Sequence, residues 1–462
     1  MAASTSQAVV EQRAIEFIPT SERFGRPGTL FTIWFASNAQ ITAVATGLLA
    51  TAVFGLSLPW AIAAVLIGNL AGALFMAYHS VQGPRLGMPQ MIQSRAQFGM
   101  FGAVLPIVVV VLMYIGFFVS SAVLGGEAIA KLVHVPTDAG IVICNAITLA
   151  MAYIGYKLIH RYDRWASVLF AIVFLALTIK MLTVHQPAYH ATGDSAANIL
   201  LVISIFVSWQ ITWAPYVSDY SRYLPQDTPS GRTFWYTYGG SAIGACWFMA
   251  IGAFGGILAP SAISANTAGY FAGLFPAVQW LVLITAILGI LAANVENLYG
   301  PFLAGAAAVS PSGRVGSAPV TRLLAAGAVA VIGTVLAIAA SAHFLTDLSN
   351  FVLFLLYFLI PWTAINLTDY YVVRRGRYDI DEFFRVDGRY GRVNWWGVGI
   401  YVLTILIELP FVNSDLFVGP VAKDLGGADI SWIVGFIVAS GLYYLAARRF
   451  TSTAMRPGRA TA

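Results

Sequence analysis

The sequence predicts an all-α integral membrane protein with twelve transmembrane helices. Three observations predict it. Of 462 residues, 59% are hydrophobic and only 10% charged, with mean hydropathy +0.77; an ordinary soluble chain carries about 25% charge. Apolar runs of roughly 20 residues, enough to cross a bilayer as helix, recur along the chain. The basic residues also alternate from loop to loop. With the N-terminus inside, all but Lys131, Lys180 and Lys423 of the 25 Lys and Arg fall in the tails or on the same side. This asymmetry places both termini in the cytoplasm of a cell that carries the protein in its inner membrane.

The spans run at about 29–55, 59–80, 100–132, 139–157, 165–184, 197–219, 232–258, 276–306, 321–342, 348–373, 394–412 and 430–448. They group into a cytoplasmic tail 1–28, a five-helix half 29–184, a second half 197–373, a basic cytoplasmic loop 374–393, two accessory helices in 394–448 and a tail 449–462. The net charge of +5 is spread over short loops and does not point to nucleic acid. Cys144 and Cys246 both sit in apolar runs, so no disulfide framework is implied. The first 28 residues are polar and mixed in charge, unlike a cleavable signal peptide.

Span 1 carries Ser37, Asn38 and Gln40 in its middle, followed by Gly47. Span 6 carries Trp209, Gln210, Thr212 and Trp213, then Pro215, which cannot donate to the helix ladder. Backbone opened at membrane depth survives only where protein or a water-filled cavity satisfies it. Corresponding breaks at the head of two five-helix halves point to an inverted-repeat transporter with a midplane site. Asp219 and Arg222 close span 6 as a helix-end ion pair or inner-gate latch. The loop Gln82–Gly99 between spans 2 and 3 reads as a structured turn or interfacial helix, with Arg85 and Arg95 as cytoplasmic anchors rather than phosphate ligands.

In span 3, Phe117 and Ser121 are four apart and share a helix face. That face offers a ring and a hydroxyl, although packing and a bond back to the helix is the plainer reading of this span alone. Span 8 carries Asn294, Glu296 and Asn297. A carboxyl at depth costs several kcal/mol unless paired, protonated or hydrated, so Glu296 is a functional candidate: an acceptor for two N–H groups of a flat heterocycle, or a proton carrier. Glu127 and Glu408 are expected near outer span ends within reach of water, and all six histidines at span ends, which argues against a histidine relay. An enzyme would need a clustered nucleophile, metal site or histidine-rich face. A channel would need a continuous polar stripe or a repeated filter loop. The sequence has neither pattern.

Four segments, GPRLGMPQMIQSRAQFG, WAPYVSDYSRYLP, AANVENLYG and NLTDYYVVRRGRYDIDEFF, together resemble the nucleobase:cation symporter-1 family over roughly Ser21–Arg449. The resemblance implies a LeuT-like core of two inverted five-helix repeats plus two C-terminal helices, and secondary active transport by alternating access. It implies a substrate ring held between Phe117 and Trp209, with Ser121, Gln40 and nearby Asn38 as polar contacts. In span 8 the matching amide is Glu296 or Asn297, with Asn294 one turn above. Sodium-coupled members place two adjacent hydroxyl residues where this chain has Ala292 and Ala293. With Glu296 nearby, that departure favours proton symport, with sodium as the alternative ion.

The expectation is therefore a symporter for a planar nitrogen heterocycle, cytosine or a purine base first. Ureides such as allantoin or hydantoins, and vitamin heterocycles such as pyridoxine or hydroxymethylpyrimidine, are the alternatives. Phe117 and Trp209 would supply ring contact, and Gln40, Gln210, Ser121 and Glu296 the edge hydrogen bonds. No cofactor, resident metal or obligate protein partner is expected; the surroundings are the lipid bilayer and a small-molecule substrate.

Overall fold

The computed structural model describes residues 15–154, 156–185, 189–309 and 319–454. Residues 1–14 and 455–462 of the two expected tails lie outside these. The chain is all helical; among the described residues the β structure is one isolated bridge, Asn413 to Val418. Helix occupies each expected span: Gly28–Asn38 with Ile41–Leu48, Leu58–Leu86, Val104–Val133, Thr137–Ile154, Tyr156–Thr183, Ala196–Ile211 with Val217–Ser221, Ser230–Leu258, Gln279–Val309, Pro319–Ala340, Phe344–Leu367, Trp395–Glu408 and Ser431–Ala454. Among the described residues seven apolar segments are long enough to cross a bilayer, with Leu324–Val373 as one of them, and the bent pair in span 1 makes an eighth. Thr137–Tyr153, Leu169–Thr183 and Trp395–Phe411 are shorter apolar helices. Large apolar side chains such as Ile67, Val108, Ile172, Val331 and Ile437 point outward, as a lipid-facing belt requires.

Span 1 bends by 61° between its two halves. Ala39 and Gln40 leave helical geometry, with Gln40 fully extended at φ −142° and ψ 156°. In an unbroken helix the Ile41 N–H would bond to the Ser37 carbonyl. Here the Gln40 Nε2 donates to that carbonyl at 2.8 Å instead. Span 6 breaks for the reason its proline predicts. Helix ends at Ile211, Pro215 lies in a 3-10 turn Ala214–Tyr216, and helix resumes at Val217. The Trp213 N–H turns to the Gln210 carbonyl, and the Thr212 hydroxyl takes the vacated Trp209 carbonyl at 2.7 Å.

Spans 1 and 7 approach backbone to backbone. A Cβ on Gly47 would collide with the Met249 carbonyl, and one on Gly252 with the Val44 carbonyl. These glycines let the second half of span 1 lie directly on span 7.

Two expectations about span ends are corrected. His79 is not at the end of span 2, because that helix runs on to Leu86; it is fully buried, stacked on Trp362 with ring centroids 4.7 Å apart. Glu127 and Glu408 are buried, at 4% and 1% exposure, rather than wetted. Two short helices in the span 7–8 connection, Pro260–Ala265 and Thr267–Gly273, cover Glu127, whose Oε2 accepts the Thr267 N–H at 2.8 Å. Glu408 lies against Gly435 of span 12, and neither of its carboxyl oxygens has a hydrogen-bond partner among the described residues.

Gly252→Val is expected to lower stability by about 1–3 kcal/mol, the usual cost of overpacking. The readout is an earlier thermal-unfolding midpoint of the detergent-purified protein. An unchanged midpoint would mean that spans 1 and 7 separate freely.

Candidate functional site

The two helix breaks meet at Asn38. This fully buried amide donates through Nδ2 to the Trp34 carbonyl at 2.8 Å and to Ser241 Oγ at 3.3 Å. Its Oδ1 accepts the Trp209 indole N–H at 2.8 Å. One side chain therefore fastens the break of span 1 to the break of span 6 and to span 7. With its N–H committed, Trp209 offers only the face and edge of its ring.

Phe117 stands against that ring edge to face, with centroids 5.7 Å apart and planes at 88°. The two rings form a corner in this arrangement, not the parallel plates of a sandwich. Phe351 of span 10 closes on the other side of Phe117, at 5.3 Å and 81°. One turn along span 3, Ser121 faces span 1, with its Oγ 3.4 Å from Thr42 Oγ1. It is the neighbouring Ser120 that bonds back to its own helix, at the Gly116 carbonyl. Asn38, Trp209, Phe117 and Ser121 are thus linked through direct contacts to spans 1, 3, 6, 7 and 10, while half-buried Gln40 lies at the break itself.

Gln210 is placed differently. Its Oε1 accepts the Ser241 hydroxyl at 2.6 Å and its Nε2 donates to Asn69 Oδ1 at 3.0 Å. The amide is spent on spans 2 and 7, because residue 210 lies about 100° around the helix from Trp209. Asn294 is fully buried, and neither atom of its amide finds a hydrogen-bond partner among the described residues. Ile290 and Leu298, one turn away on either side, pack near Gly125 and Phe118. Asn294 therefore belongs to the face of span 8 turned toward span 3, beside the strip that carries Phe117 and Ser121. Asn297 is half-buried on the same side of the helix.

Glu296 is exposed. It shares a helix face with Gly300, whose Cα lies against the Tyr114 ring, and it is within electrostatic range of Tyr114 and Tyr216, as is Asp219. Glu296 thus stands beside an aromatic column that begins at the Phe117–Trp209 corner. The column runs from Trp209 to Trp213 to Tyr216, where Tyr114 joins it, and Trp34 adds edge contacts to Trp213 and Tyr220. It runs from the corner toward Asp219.

At that end the Gln82–Gly99 segment is a hub. The Gln90 backbone N–H donates to Asp219 Oδ1 at 2.8 Å, and its side chain accepts from Ser218 at 2.6 Å and bonds His79 Nδ1 at 3.0 Å. Arg222 donates to the backbone carbonyls of Asp219 and Glu16. Gln97 donates to Asp369, which also accepts from Tyr378 and Tyr443 and pairs with Arg374 at 3.0 Å. Burial opposes the Arg374 charge, but Asp369 and the nearby tyrosines outweigh it and raise the pKa. Arg95 is buried and donates to the Phe383 and Ala307 carbonyls, a structural anchor.

Sequence reasoning missed Asn69, Thr42, Ser241, Phe351 and the column residues Trp34, Tyr114 and Tyr216. Asn69 left a signal, as an amide in the middle of an apolar span. The others are ordinary membrane-helix residues until a neighbouring helix gives them a partner.

The family of permeases for cytosine and purines, uracil, thiamine and allantoin matches residues 17–435. This chain belongs to that family. It is 42% identical to a putative purine-cytosine permease, YxlA of Bacillus subtilis (strain 168), over 94% of this chain and 95% of that one. It is 27% identical to the purine-cytosine permease fcyB of Emericella nidulans, over 96% of this chain and 89% of that one. Its fold is that of Mhp1, a nucleobase-cation-symport-1 family transporter solved closed with bromovinylhydantoin bound. The TM-score is 0.74 at 20% identity, with 96% of each chain covered. The protein is accordingly a multi-pass membrane permease and not an enzyme. Among the described residues of this permease, no group of three or more His, Cys, Asp or Glu could hold a metal ion.

Asn38→Ala strands the Trp209 N–H and is expected to cost about 1–3 kcal/mol. In a double-mutant cycle with Trp209→Phe, the double variant should lose less than the two single losses combined. Strictly additive losses would show that this bond does not fasten the two breaks.

Proposed function

We propose that this permease imports a planar nitrogen heterocycle, cytosine or a purine base, together with protons. The observation that carries the reading is the Phe117–Trp209 corner at the meeting of two broken helices. A flat heterocycle lying on one of these rings gains apolar and π contact, while the other ring abuts its edge. Gln40 has its Nε2 on the Ser37 carbonyl, which leaves its carbonyl oxygen for a ligand N–H. Ser121 and Thr42 add hydroxyls that can donate or accept. Asn294 and Asn297 supply amides from span 8. A site built for such edges rejects analogues that lack them, because its own polar groups would be left unpaired.

The two halves, 29–184 and 197–373, form the transport core, with 394–448 accessory and both tails cytoplasmic. Alternating access then moves Phe351 of span 10 on one side and the aromatic column on the other. Coupling requires ion and substrate to favour the same state by differential affinity. Ala292 and Ala293 present methyl groups where sodium would need oxygens. Glu296 is a carboxyl beside the column, and protonating it removes a charge from the path that must open.

Uptake of radiolabelled cytosine, adenine and hypoxanthine in cells lacking their own nucleobase permeases tests this, with allantoin, thiamine and pyridoxine as competitors. Glu296→Gln and a protonophore are each expected to abolish accumulation, while Glu296→Gln retains substrate binding. Sodium dependence at constant pH and membrane potential would refute the proton coupling. Competition only by a ureide or a vitamin would refute the substrate.

A further inference from the structure

The arginine-rich end carries an open basin of about 540 Å³ that the transport reading does not use. It is lined by Arg85, Gln226, Tyr370, Tyr371, Arg375 and Gly376. Its two cations come from different elements, Arg85 from the last turn of span 2 and Arg375 from the chain leaving span 10. Among the described residues no carboxylate lines it. Arg374, Arg385 and Arg392 in the same region each pair with an aspartate or glutamate. Among the described residues Arg85 and Arg375 have no such pairing; Arg85 makes one long bond, 3.4 Å to the hydroxyl of Ser230 at the start of span 7. Arg375 also holds a left-handed φ of 52°, an uncommon backbone for a residue with a side chain.

The wall of the basin is continuous with an exposed aromatic band. Tyr371 donates to the Tyr78 carbonyl and stacks edge-on against the Tyr78 ring, which meets Phe234; Trp235, next along, is 66% exposed. Exposed tyrosine and tryptophan mark the headgroup level of a bilayer. Two guanidinium groups lacking carboxylates, with hydroxyl and amide donors beside them at that depth, match a phosphate monoanion.

We propose that this basin binds the phosphate of an anionic phospholipid headgroup. The bound phosphate bridges the end of span 2 to the end of span 10, and so links the membrane's lipid composition to the helix that carries Phe351. Sequence reasoning assigned Arg85 to anchoring; the basin gives that anchor a ligand. This inference does not depend on the transported substrate.

The test compares wild type, R85Q/R375Q and the control R377Q/R389Q, which removes two charges elsewhere in the same loop. Each is purified from liposomes of phosphatidylcholine and phosphatidylglycerol, and retained lipid is measured by native mass spectrometry. The single variant R375Q, altered only in an exposed loop, stands in if the double variant fails to fold. Phosphatidylglycerol retention is expected to fall about fivefold per arginine, roughly 25-fold for both, with the control unchanged. Equal retention in all three proteins overturns the proposal. A second arm adds inorganic phosphate to each protein in phosphatidylcholine nanodiscs and follows thermal unfolding. Stabilisation of wild type alone, without a preference for phosphatidylglycerol, assigns the basin to soluble phosphate and overturns the lipid assignment.

Discussion

The amide of Asn38 bears the constraint on which the rest of the molecule depends. A membrane helix that stops and restarts exposes backbone groups in surroundings where no water satisfies them, at several kcal/mol each. This chain has two such interruptions and answers them with its own side chains. Gln40 covers the Ser37 carbonyl, Thr212 covers the Trp209 carbonyl, and Asn38 binds both the span 1 backbone and the Trp209 indole. The repair of one break is thereby bonded to the other. The indole N–H of Trp209 is held, and Phe117 packs edge to face against its ring.

Around this fixed centre the two ends are built from different materials. Toward the arginine-rich end, aromatic edges fill the column and hydrogen bonds through Gln90 and Asp369 tie spans 2, 6, 10 and 12 together. On the other side Phe351 reaches Phe117 from span 10, and short helices cover the span 3 end at Glu127. Alternating access needs two packings that differ by a few kcal/mol, reached by rearranging discrete contacts rather than by deforming a dense core. Hydrogen bonds of about 1 kcal/mol net are suited to that, since several can exchange partners without leaving a group orphaned.

Hydropathy and composition made the helices legible, because the bilayer imposes length and polarity on each span separately. Pro215 and the Ser37–Gln40 cluster made the breaks legible, because each is a local backbone event. The 82–99 loop was legible as structured but not as a hub, since Gln90 acquires its meaning only when spans 2 and 6 converge on it. Glu127, Glu408 and His79 were misplaced for a related reason. Their burial depends on a helix that overruns its expected end, on a connection that folds back over Glu127, and on span 12 packing against Glu408.

The sequence by itself determined that this is a membrane-spanning helical chain, where two of its helices are interrupted, and which polar residues it carries at depth. Those properties follow from the solvent and from backbone chemistry within a few residues. The tertiary structure decided which way each side chain faces. It turned Gln210 to Asn69 and Ser241 and placed Glu296 beside Tyr114. It also set Phe117 and Trp209 at right angles. Successive residues on a helix differ by about 100° in direction, so the rotation of each helix against its neighbours assigns these roles, and packing across the bundle fixes that rotation.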